Sequence, residues 1–447
     1  MAEKLSRCHV AAGTFQISGK APLLMQAFLG TCVGVAMYCK NSGVGGIIHL
    51  LLPEPTSSSC RHPGKYATTG LPLFIQSLLA AGAQREGLTA CLAGGALVGP
   101  LSRQDLDLDI GGRTTETAKS ILETEGIAIV QSETGGFFTC GLNLDMRDGR
   151  ILIEPAGLDK LADKSNLRTP DAREIEAAIA RLKPIPQVAL KILRLIDQNS
   201  YDIGAITREI HKDQVIAGRM LQLANSAMFG AKKSITSLNH AVVFLGRDLL
   251  ARIILSAAVQ GYYEQSAMGY ALCKGGIYHH SIGCAHIAEM LARRTQTENP
   301  AKAYIAGLLH DIGKVVLDQY VADAYPLFYR EITEDREDIL SAEKRLLGRS
   351  HTEVGSFLAD QWSFPAGLAT AVRDHHSPKA DPEHGTLCTI VYLADLLMSR
   401  FHCGLEIERL ETRDLTKHLA SLGLTLGDFA GLVDAIPTSI FTSPEQA

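Results

Sequence analysis

The pattern of apolar residues changes once along this chain of 447 residues, and that change constrains the fold more than any other feature. Before residue 156, short apolar runs alternate with turn residues, as in "VGVAMYCKNSGVGGIIHLLLP" at 33–53. After residue 172, apolar residues recur at helical spacing almost to the end. We therefore predict an N-terminal α/β domain at 1–158, a polar linker at 159–174 and a C-terminal all-α bundle at 175–447.

The composition excludes several classes of protein. Hydrophobic residues make up 46 % and charged residues 20 % of the chain, and the net charge is −5, so we expect no DNA binding. The ten cysteines are scattered without any C-x-x-C pair, which argues against a cysteine zinc site. The chain opens without a signal segment, and no apolar run approaches the ~18 residues of a membrane span. The sequence therefore predicts a cytoplasmic protein with reduced thiols and no membrane span.

The N-terminal half predicts a β-hairpin. A strand at 32–39, turn residues "KNSG" at 40–43 and a buried strand at 44–53 suggest antiparallel neighbours. A helix at 68–83, a strand at 88–96, a helix and strand within 116–136 and a last strand at 149–155 follow.

Two reactive side chains lie on this hairpin. With the turn near residue 41, Cys32 and His49 fall about opposite each other. An imidazole can activate a thiol as a nucleophile, and the backbone N–H groups of Gly30 and Thr31 could stabilise an oxyanion. Both Cys32 and His49 could equally be ordinary core residues, and spacing alone does not decide.

The segments "FLGTCVGVAMYC", "GGIIHLLLPEP", "HPGKYATTGLPLFIQSLLAAGA", "LTACLAGGA" and "GRILIEP" occur in an order that resembles the CheD family of chemoreceptor glutamine deamidases. The resemblance covers residues 10–155. It implies an α/β sandwich that hydrolyses glutamine side chains of methyl-accepting chemotaxis receptors without a cofactor. Cys32 would match the nucleophile and His49 its base, and a CheC-like phosphatase would be a partner.

Two positions depart from the family pattern. The family has a third catalytic residue, threonine or serine, six positions before the cysteine, where this chain has Gln26. The Gln26 amide can still hydrogen-bond to an imidazole, so Gln26 is kept as the third candidate. The family's "IGxxN" stretch is "IGGRT" at 110–114. The resemblance therefore leaves open an active deamidase or a weakened domain that binds a partner.

The second half predicts a series of helices. We expect them at 172–182, 187–198, 203–212, 214–227, 237–259, 278–294, 300–321, 338–347, 351–361, 366–375, 386–400 and 415–423, with a short tail within 401–447 completing the bundle. Asn299-Pro300 predicts a helix start, and "SHTE" at 350–353 predicts a capping box that puts His351 in the first turn of its helix.

Histidines and aspartates recur on these predicted helices. "YHHS" contains His279 and His280, "LLHDIGK" contains His310, Asp311 and Lys314, and "SHTEVG" contains His351. His375, His376 and Asp395 follow. Imidazole and carboxylate ligands suit iron, manganese, nickel or zinc. The alternative is a set of helix-capping and surface histidines.

The series resembles the HD superfamily of metal phosphohydrolases, whose central motif is "HDIGK". The resemblance implies metal ligands at His280, His310, Asp311, His351, His375, His376 and Asp395, with Lys314 near phosphate and Fe, Mn or Zn as the divalent metal. The "GYP" segment of the cyclic-dinucleotide phosphodiesterases is replaced by "SPKADPEHGT" after His376.

The helices before this motif are similar to the HDOD domain, a relative without GYP found in bacterial signalling proteins. The match rests on "LKPIPQVALKILRLIDQ" at 182–198 and "LANSAMFG" at 223–230, with Asn225 and Ser226 characteristic. Three interpretations of the whole protein follow: a deamidase coupled to an HDOD regulatory domain, a non-catalytic signalling adaptor, or a metal-dependent phosphodiesterase of cyclic dinucleotides.

Overall fold

The computed structural model describes residues 5–56, 62–97, 102–136, 139–157, 168–182, 184–186, 189–191, 193–194, 210, 214–225, 235, 237–263, 267–271, 275–334, 337–379, 381–401, 410 and 412–441. The chain divides into two compact units. The first contains Met1–Asp163, Ser399–Thr416 and Thr425–Gln446, and the second contains Lys164–Met398, Lys417–Leu424 and Ala447. Within the described ranges, no helix is long and apolar enough to cross a membrane.

The first unit contains two sheets. Its strands are β1 (Ser6–His9), β2 (Phe15–Ser18), β3 (Leu23–Leu29), β4 (Val33–Cys39), β5 (Val44–Leu50), β6 (Leu88–Gly94), β7 (Ala128–Thr134), β8 (Cys140–Asp145) and β9 (Arg150–Pro155). One sheet has the order β1-β3-β8-β9 and the other β2-β5-β4-β6-β7. Helices α1 (Ala67–Ala80), α2 (Arg103–Leu108) and α3 (Ile110–Thr124) belong to the same unit.

The central strands β4 and β5 of the five-stranded sheet are buried on both faces. Val33, Val35 and Met37 of β4 share a core with α1 and α3. On the opposite face, a Cβ added at Gly34 would meet Leu29 of β3 and Leu142 of β8, which belong to the other sheet. The two sheets therefore face each other, and the helices cover the outer face of the larger one. The predicted α/β sandwich is confirmed.

Strands β4 and β5 form the predicted hairpin, with a shifted register. Val33 lies opposite Leu50 and Gly34 opposite His49. The turn ends at Gly43, whose φ of +71° favours glycine. The centre of the turn therefore lies slightly later than residue 41.

The second unit is helical where the structure describes it. Its helices are α4 (Ala172–Arg181), α5 (Gln214–Ala224), α6 (Leu238–Tyr263), α7 (Gly276–Thr295), α8 (Pro300–Leu309), α9 (Lys314–Asp323), α10 (Tyr325–Tyr329), α11 (Ile339–Leu347), α12 (His351–Gln361), α13 (Ala366–Asp374), α14 (Gly385–Phe401) and α15 (Leu415–Ser421). Both predicted caps are confirmed: Asn299 caps α8, and Ser350 with Glu353 forms the capping box of α12. The helices predicted at 187–198 and 203–212 fall largely outside the described residues.

The single helix predicted at 300–321 is wrong. The chain forms α8 and α9 with a turn at residues 310–313 between them. A Cβ at Gly313 would lie 2.0 Å from the backbone oxygen of His351, so glycine permits the turn to touch the start of α12. This break moves His310 and Asp311 from a helix face into a turn.

The end of the chain belongs largely to the first unit, whereas the sequence grouped it with the helical bundle. Helix α16 (Phe429–Ala435) lies in the segment Thr425–Gln446. The buried ammonium of Lys65 donates to the backbone oxygens of Val433 at 3.3 Å, Asp434 at 2.9 Å and Ile436. Lys65 thus caps the C-terminal end of α16, where helix carbonyls lack partners of their own.

Candidate active site and metal centre

Cys32 and His49 lie on the face of the larger sheet that is turned toward the smaller one. Cys32 stands two residues before Gly34, which pairs with His49, so Cys32 and His49 share a face as diagonal neighbours. We expected Cys32 and His49 about opposite each other; the register is shifted by two residues from that, and the shared face follows from the strand period. Both side chains are buried, with 0 % of Cys32 and 2 % of His49 exposed.

The turn that carries Cys32 is fixed by the residues that follow β6. The backbone N–H of Gly95 donates to the Cys32 oxygen at 2.7 Å, and that of Ala96 donates to the Gly30 oxygen at 2.8 Å. Gly94 has a φ of +89°, and a Cβ there would lie 2.3 Å from the Cys32 oxygen. The backbone carbonyls of Gly30 and Cys32 therefore fix the turn through hydrogen bonds from the residues after β6. The oxyanion role of Gly30 and Thr31 stays a prediction.

The imidazole of His49 is held in one tautomer. Its Nδ1 lies 3.1 Å from the backbone oxygen of Val10, which can only accept, so Nδ1 carries the proton. Its Nε2 is buried and makes no hydrogen bond to the described residues. Burial lowers the pKa of His49 to about 4, although the Val10 carbonyl opposes the shift.

Burial also raises the pKa of the Cys32 thiol far above its usual range. The uncharged forms of both groups are therefore favoured at neutral pH. Two uncharged groups on one face of the sheet do not form a thiolate–imidazolium ion pair.

Gln26 makes its side-chain hydrogen bond elsewhere. Its Nε2 donates to Asn143 Oδ1 at 2.7 Å, across the β3–β8 pair. Its backbone oxygen accepts from the N–H of Val10 at 2.7 Å, so among the described residues Gln26 is linked to His49 through the Val10 backbone. The Val10 carbonyl, which the sequence could not reveal, binds the imidazole in place of a third side chain.

In the second unit, the predicted ligands converge on Asp311. One carboxylate oxygen, Oδ2, lies 3.2 Å from His310 Nε2 and 3.7 Å from His280 Nε2. The other, Oδ1, lies 3.4 Å from His351 Nε2 and 3.5 Å from His375 Nε2. Asp311 is therefore shared between two groups of imidazoles.

Each group has a further member. Asp395 Oδ1 lies 3.0 Å from His280 Nε2, and Asp395 Oδ2 lies 3.9 Å from His310 Nε2. His376 Nε2 lies 3.1 Å from His351 Nε2. Apart from the half-buried His376, the predicted ligands have no exposed surface. His279 is also buried but belongs to none of the candidate metal-binding groups.

The donor atoms fit a metal ion. His310 and His375 direct Nδ1 at the backbone oxygens of Gly307 (2.7 Å) and Val372 (3.0 Å), and their Nε2 atoms are buried without a hydrogen bond of normal geometry. Asp311 Oδ1 is buried without one as well. Buried polar atoms in this state are costly unless a further partner binds them.

Neighbouring charges keep the carboxylates ionised. Burial alone would raise the pKa of Asp311, but His310 and Lys314 outweigh it and hold that pKa well below its usual range. Burial alone would lower the pKa of His310, but Asp311 and Asp395 raise it to about 9. Lys314 Nζ lies 2.6 Å from Asp311 Oδ2, so its charge is directed at this carboxylate.

Glu343 orients His351 and was missed by the sequence. Its carboxylate lies 2.9 Å from His351 Nδ1 and accepts from the His351 backbone N–H at 2.7 Å. Tyr270 donates its hydroxyl to the same carboxylate at 2.6 Å. A carboxylate on the far nitrogen of an imidazole fixes the ligating nitrogen toward the metal. No sequence motif relates Glu343 to the "HDIGK" segment.

Asn225 has a structural role. Its amide donates to the Ile235 backbone oxygen at 2.9 Å and accepts from the Ile235 N–H at 2.7 Å. This pair of bonds joins the end of α5 to residue 235. Ser226 lies outside the described residues.

Comparisons with known proteins match the two halves separately. The family model of CheD chemotactic sensory transduction matches residues 51–155, and that of the HDOD domain matches residues 182–378. A probable chemoreceptor glutamine deamidase CheD of Methanococcus vannielii is 32 % identical over 135 residues, which are 30 % of this chain and 86 % of the relative. A protein of the same name from Symbiobacterium thermophilum is 34 % identical over 151 residues, 33 % of this chain and 92 % of the relative.

A solved structure is also similar to part of this chain. An HDOD domain protein from Geobacter sulfurreducens is 27 % identical, and the match covers 60 % of this chain and 97 % of that protein, with a TM-score of 0.48.

Proposed function

Because the chain belongs to the CheD family through its first half and contains an HDOD domain in its second, we propose that it deamidates glutamine side chains of chemoreceptors under the control of the HDOD domain. The observation that carries the proposal is the His49 imidazole, whose Nδ1 is bound by Val10 and whose buried Nε2 is left available as a base.

The proposed reaction uses two uncharged groups. His49 Nε2 takes the thiol proton as Cys32 Sγ attacks the amide carbon of the substrate, and the N–H groups of Gly30 and Thr31 receive the oxyanion. Protonated His49 then gives its proton to the departing ammonia. Water, deprotonated by His49, hydrolyses the thioester to glutamate and restores the thiol. The net change is glutamine and water to glutamate and ammonia.

A non-catalytic adaptor is the second candidate for the first unit. It is favoured by the complete burial of Cys32 and by the Gln26 amide, which is bonded to Asn143. A receptor glutamine can react only if Cys32 Sγ becomes accessible in the complex. The two candidates differ in chemistry but not in receptor binding, so one experiment must measure both.

The test is ammonia release by the full-length protein from a chemoreceptor cytoplasmic fragment, with mass spectrometry of the glutamines. Wild type should release ammonia, and Cys32→Ala should not. Cys91→Ala is the matched control, since Cys91 is a buried cysteine of β6 on the same sheet, and it should retain activity. Receptor binding by wild type without any ammonia release would favour the adaptor.

For the second unit we propose a divalent metal centre of iron, manganese or zinc around Asp311. His280, His310 and Asp395 would hold a metal ion on one side of Asp311, and His351, His375 and His376 would provide ligands on the other side. The proposal is supported by the distances around Asp311 and by the buried donor atoms of His310 and His375. Such ions would supply Lewis-acid chemistry toward a phosphate.

Metal analysis tests this centre. Purified wild type should contain metal, and the double variant His310→Ala/Asp311→Ala should not. Equal metal content in both would contradict the centre.

A regulatory role is preferred for the helical unit over turnover of a cyclic dinucleotide. Lys314 is bonded to Asp311, and the GYP segment is absent after His376. Ammonia release measured with and without cyclic dinucleotides would test regulation, and their hydrolysis would favour the phosphodiesterase. A CheC-like phosphatase as partner and a cytoplasmic location are further parts of the proposal.

A further inference from the structure

A cysteine lies among the predicted metal ligands of the helical unit. Cys284 is on α7, one helical turn after His280, and its Sγ lies 3.3 Å from His280 Nε2. It is fully buried and forms no disulfide. One donor atom from each of His280, Cys284, His310 and Asp395 lies within 4.8 Å of every other. Cys284 is not among the ligands that the resemblance to HD proteins implies.

Two distances among these four atoms are close to those between ligands of one metal ion. With Zn–S near 2.3 Å and Zn–N near 2.0 Å, sulfur and nitrogen ligands of one ion are separated by about 3.5 Å. The observed 3.3 Å between Cys284 Sγ and His280 Nε2 is close to that value, as is the 3.0 Å between His280 Nε2 and Asp395 Oδ1. His310 contributes a buried Nε2 without a normal hydrogen bond.

The contact between α7 and α8 positions the thiol and His310 together. A Cβ at Gly307 would lie 2.7 Å from the Cys284 backbone oxygen and 2.9 Å from the Ala285 Cα, so only glycine permits this approach. The Gly307 oxygen is also the partner of His310 Nδ1, at 2.7 Å. Gly307 therefore permits the close approach of α7 to α8 at Cys284, and its oxygen orients His310 so that Nε2 faces the site.

We propose that Cys284 is a thiolate ligand of the metal ion held by His280, His310 and Asp395. The proposal rests on the metal centre proposed above and adds a sulfur ligand to it. A thiolate makes this position softer than the one beside His351 and His375, where the donor atoms are nitrogen and oxygen. Softer ligands favour zinc, cobalt or ferrous iron over magnesium or calcium.

The test is reconstitution of the full-length protein with Co²⁺, followed by near-ultraviolet absorption and metal analysis. Wild type should show a sulfur-to-cobalt charge-transfer band. Cys284→Ser should lose the band and bind the ion at least about tenfold more weakly, since even indirect partners of a metal contribute that much. Cys388→Ser, which changes a buried cysteine of α14, is the matched control and should keep the band.

The outcomes separate the two proposals. Stoichiometric cobalt without a charge-transfer band, or a band that survives in Cys284→Ser, overturns the thiolate ligand and leaves the metal centre standing. Absence of bound metal in wild type, equal to His310→Ala/Asp311→Ala, overturns both. Circular dichroism of each variant checks that the helices have formed.

Discussion

Deamidation should persist at acidic pH, because the pKa of the proposed base, His49, is lowered. Burial lowers the pKa of His49 from 6.5 to about 4, so the neutral imidazole predominates above pH 4. At pH 5, roughly 90 % of such a group is neutral, whereas an ordinary histidine of pKa 6.5 would be only about 3 % neutral. kcat/KM reports the free enzyme, so its value at pH 5 should be about 0.9 of the plateau.

The same shift predicts a loss of stability in acid. The unfolded chain takes up a proton near pH 6.5 and the folded chain only near pH 4, so the free energy of unfolding falls as the pH drops between these values. For His49 the loss at pH 5 is about 2 kcal/mol relative to neutral pH. The His49→Asn variant lacks the titrating imidazole. Between pH 7 and pH 5, its free energy of unfolding should therefore fall by about 2 kcal/mol less than that of wild type.

Two measurements check the reasoning. Ammonia release is followed from pH 5 to pH 8 with the receptor fragment, and urea unfolding of wild type and His49→Asn is measured at pH 5 and pH 7. Circular dichroism defines the pH range in which wild type is folded. An acidic limb with an apparent pKa near 6.5, or equal pH dependence of stability in both proteins, would refute a buried neutral His49.

Three further changes test other contacts. Gln26→Leu should lower the free energy of unfolding by about 1 kcal/mol, because the hydrogen bond to Asn143 is lost. It should leave the acidic limb of the kcat/KM profile unchanged, because the Gln26 amide binds Asn143 and not His49. A shifted acidic limb would contradict this. Gly94→Ala should lower kcat/KM by about 100-fold by displacing the turn before β4. Gly126→Ala, also at positive φ but with open space around it, is the control, and equal losses would argue against a clash. Lys65→Met should lower the free energy of unfolding by about 3 kcal/mol and make residues 425–441 sensitive to protease; unchanged protection would refute the cap.

The hairpin shows what periodicity can predict and what it cannot. Alternating residues and the turn signal were enough to pair the strands of Cys32 and His49. The register depends on the conformation of the turn, where Gly43 has a positive φ. The spacing of apolar residues does not predict that conformation. Because the register error was two residues, the predicted face remained correct.

The helical half was predictable where caps and apolar spacing agree, as at Ser350. The break after Leu309 was not, because "LLHDIGKVV" keeps helical spacing through the turn. It arises from the close approach of Gly313 to His351, a contact between residues far apart in sequence. The Val10 carbonyl and Glu343 escaped prediction for related reasons: one is a backbone atom, and the other joins its imidazole only through the fold.

The placement of α16 in the first unit has a consequence for how the protein is made. The sheets of that unit are encoded before residue 156, but the carbonyls that receive the Lys65 ammonium are encoded at 433–436. A ribosome adding 5–20 residues per second needs on the order of 15–60 s to cover that interval. During this time the deamidase fold lacks its last helix, and the whole helical unit emerges first. The first unit is therefore completed only when the chain is nearly finished, so a prematurely terminated product lacks the carbonyls that bind Lys65.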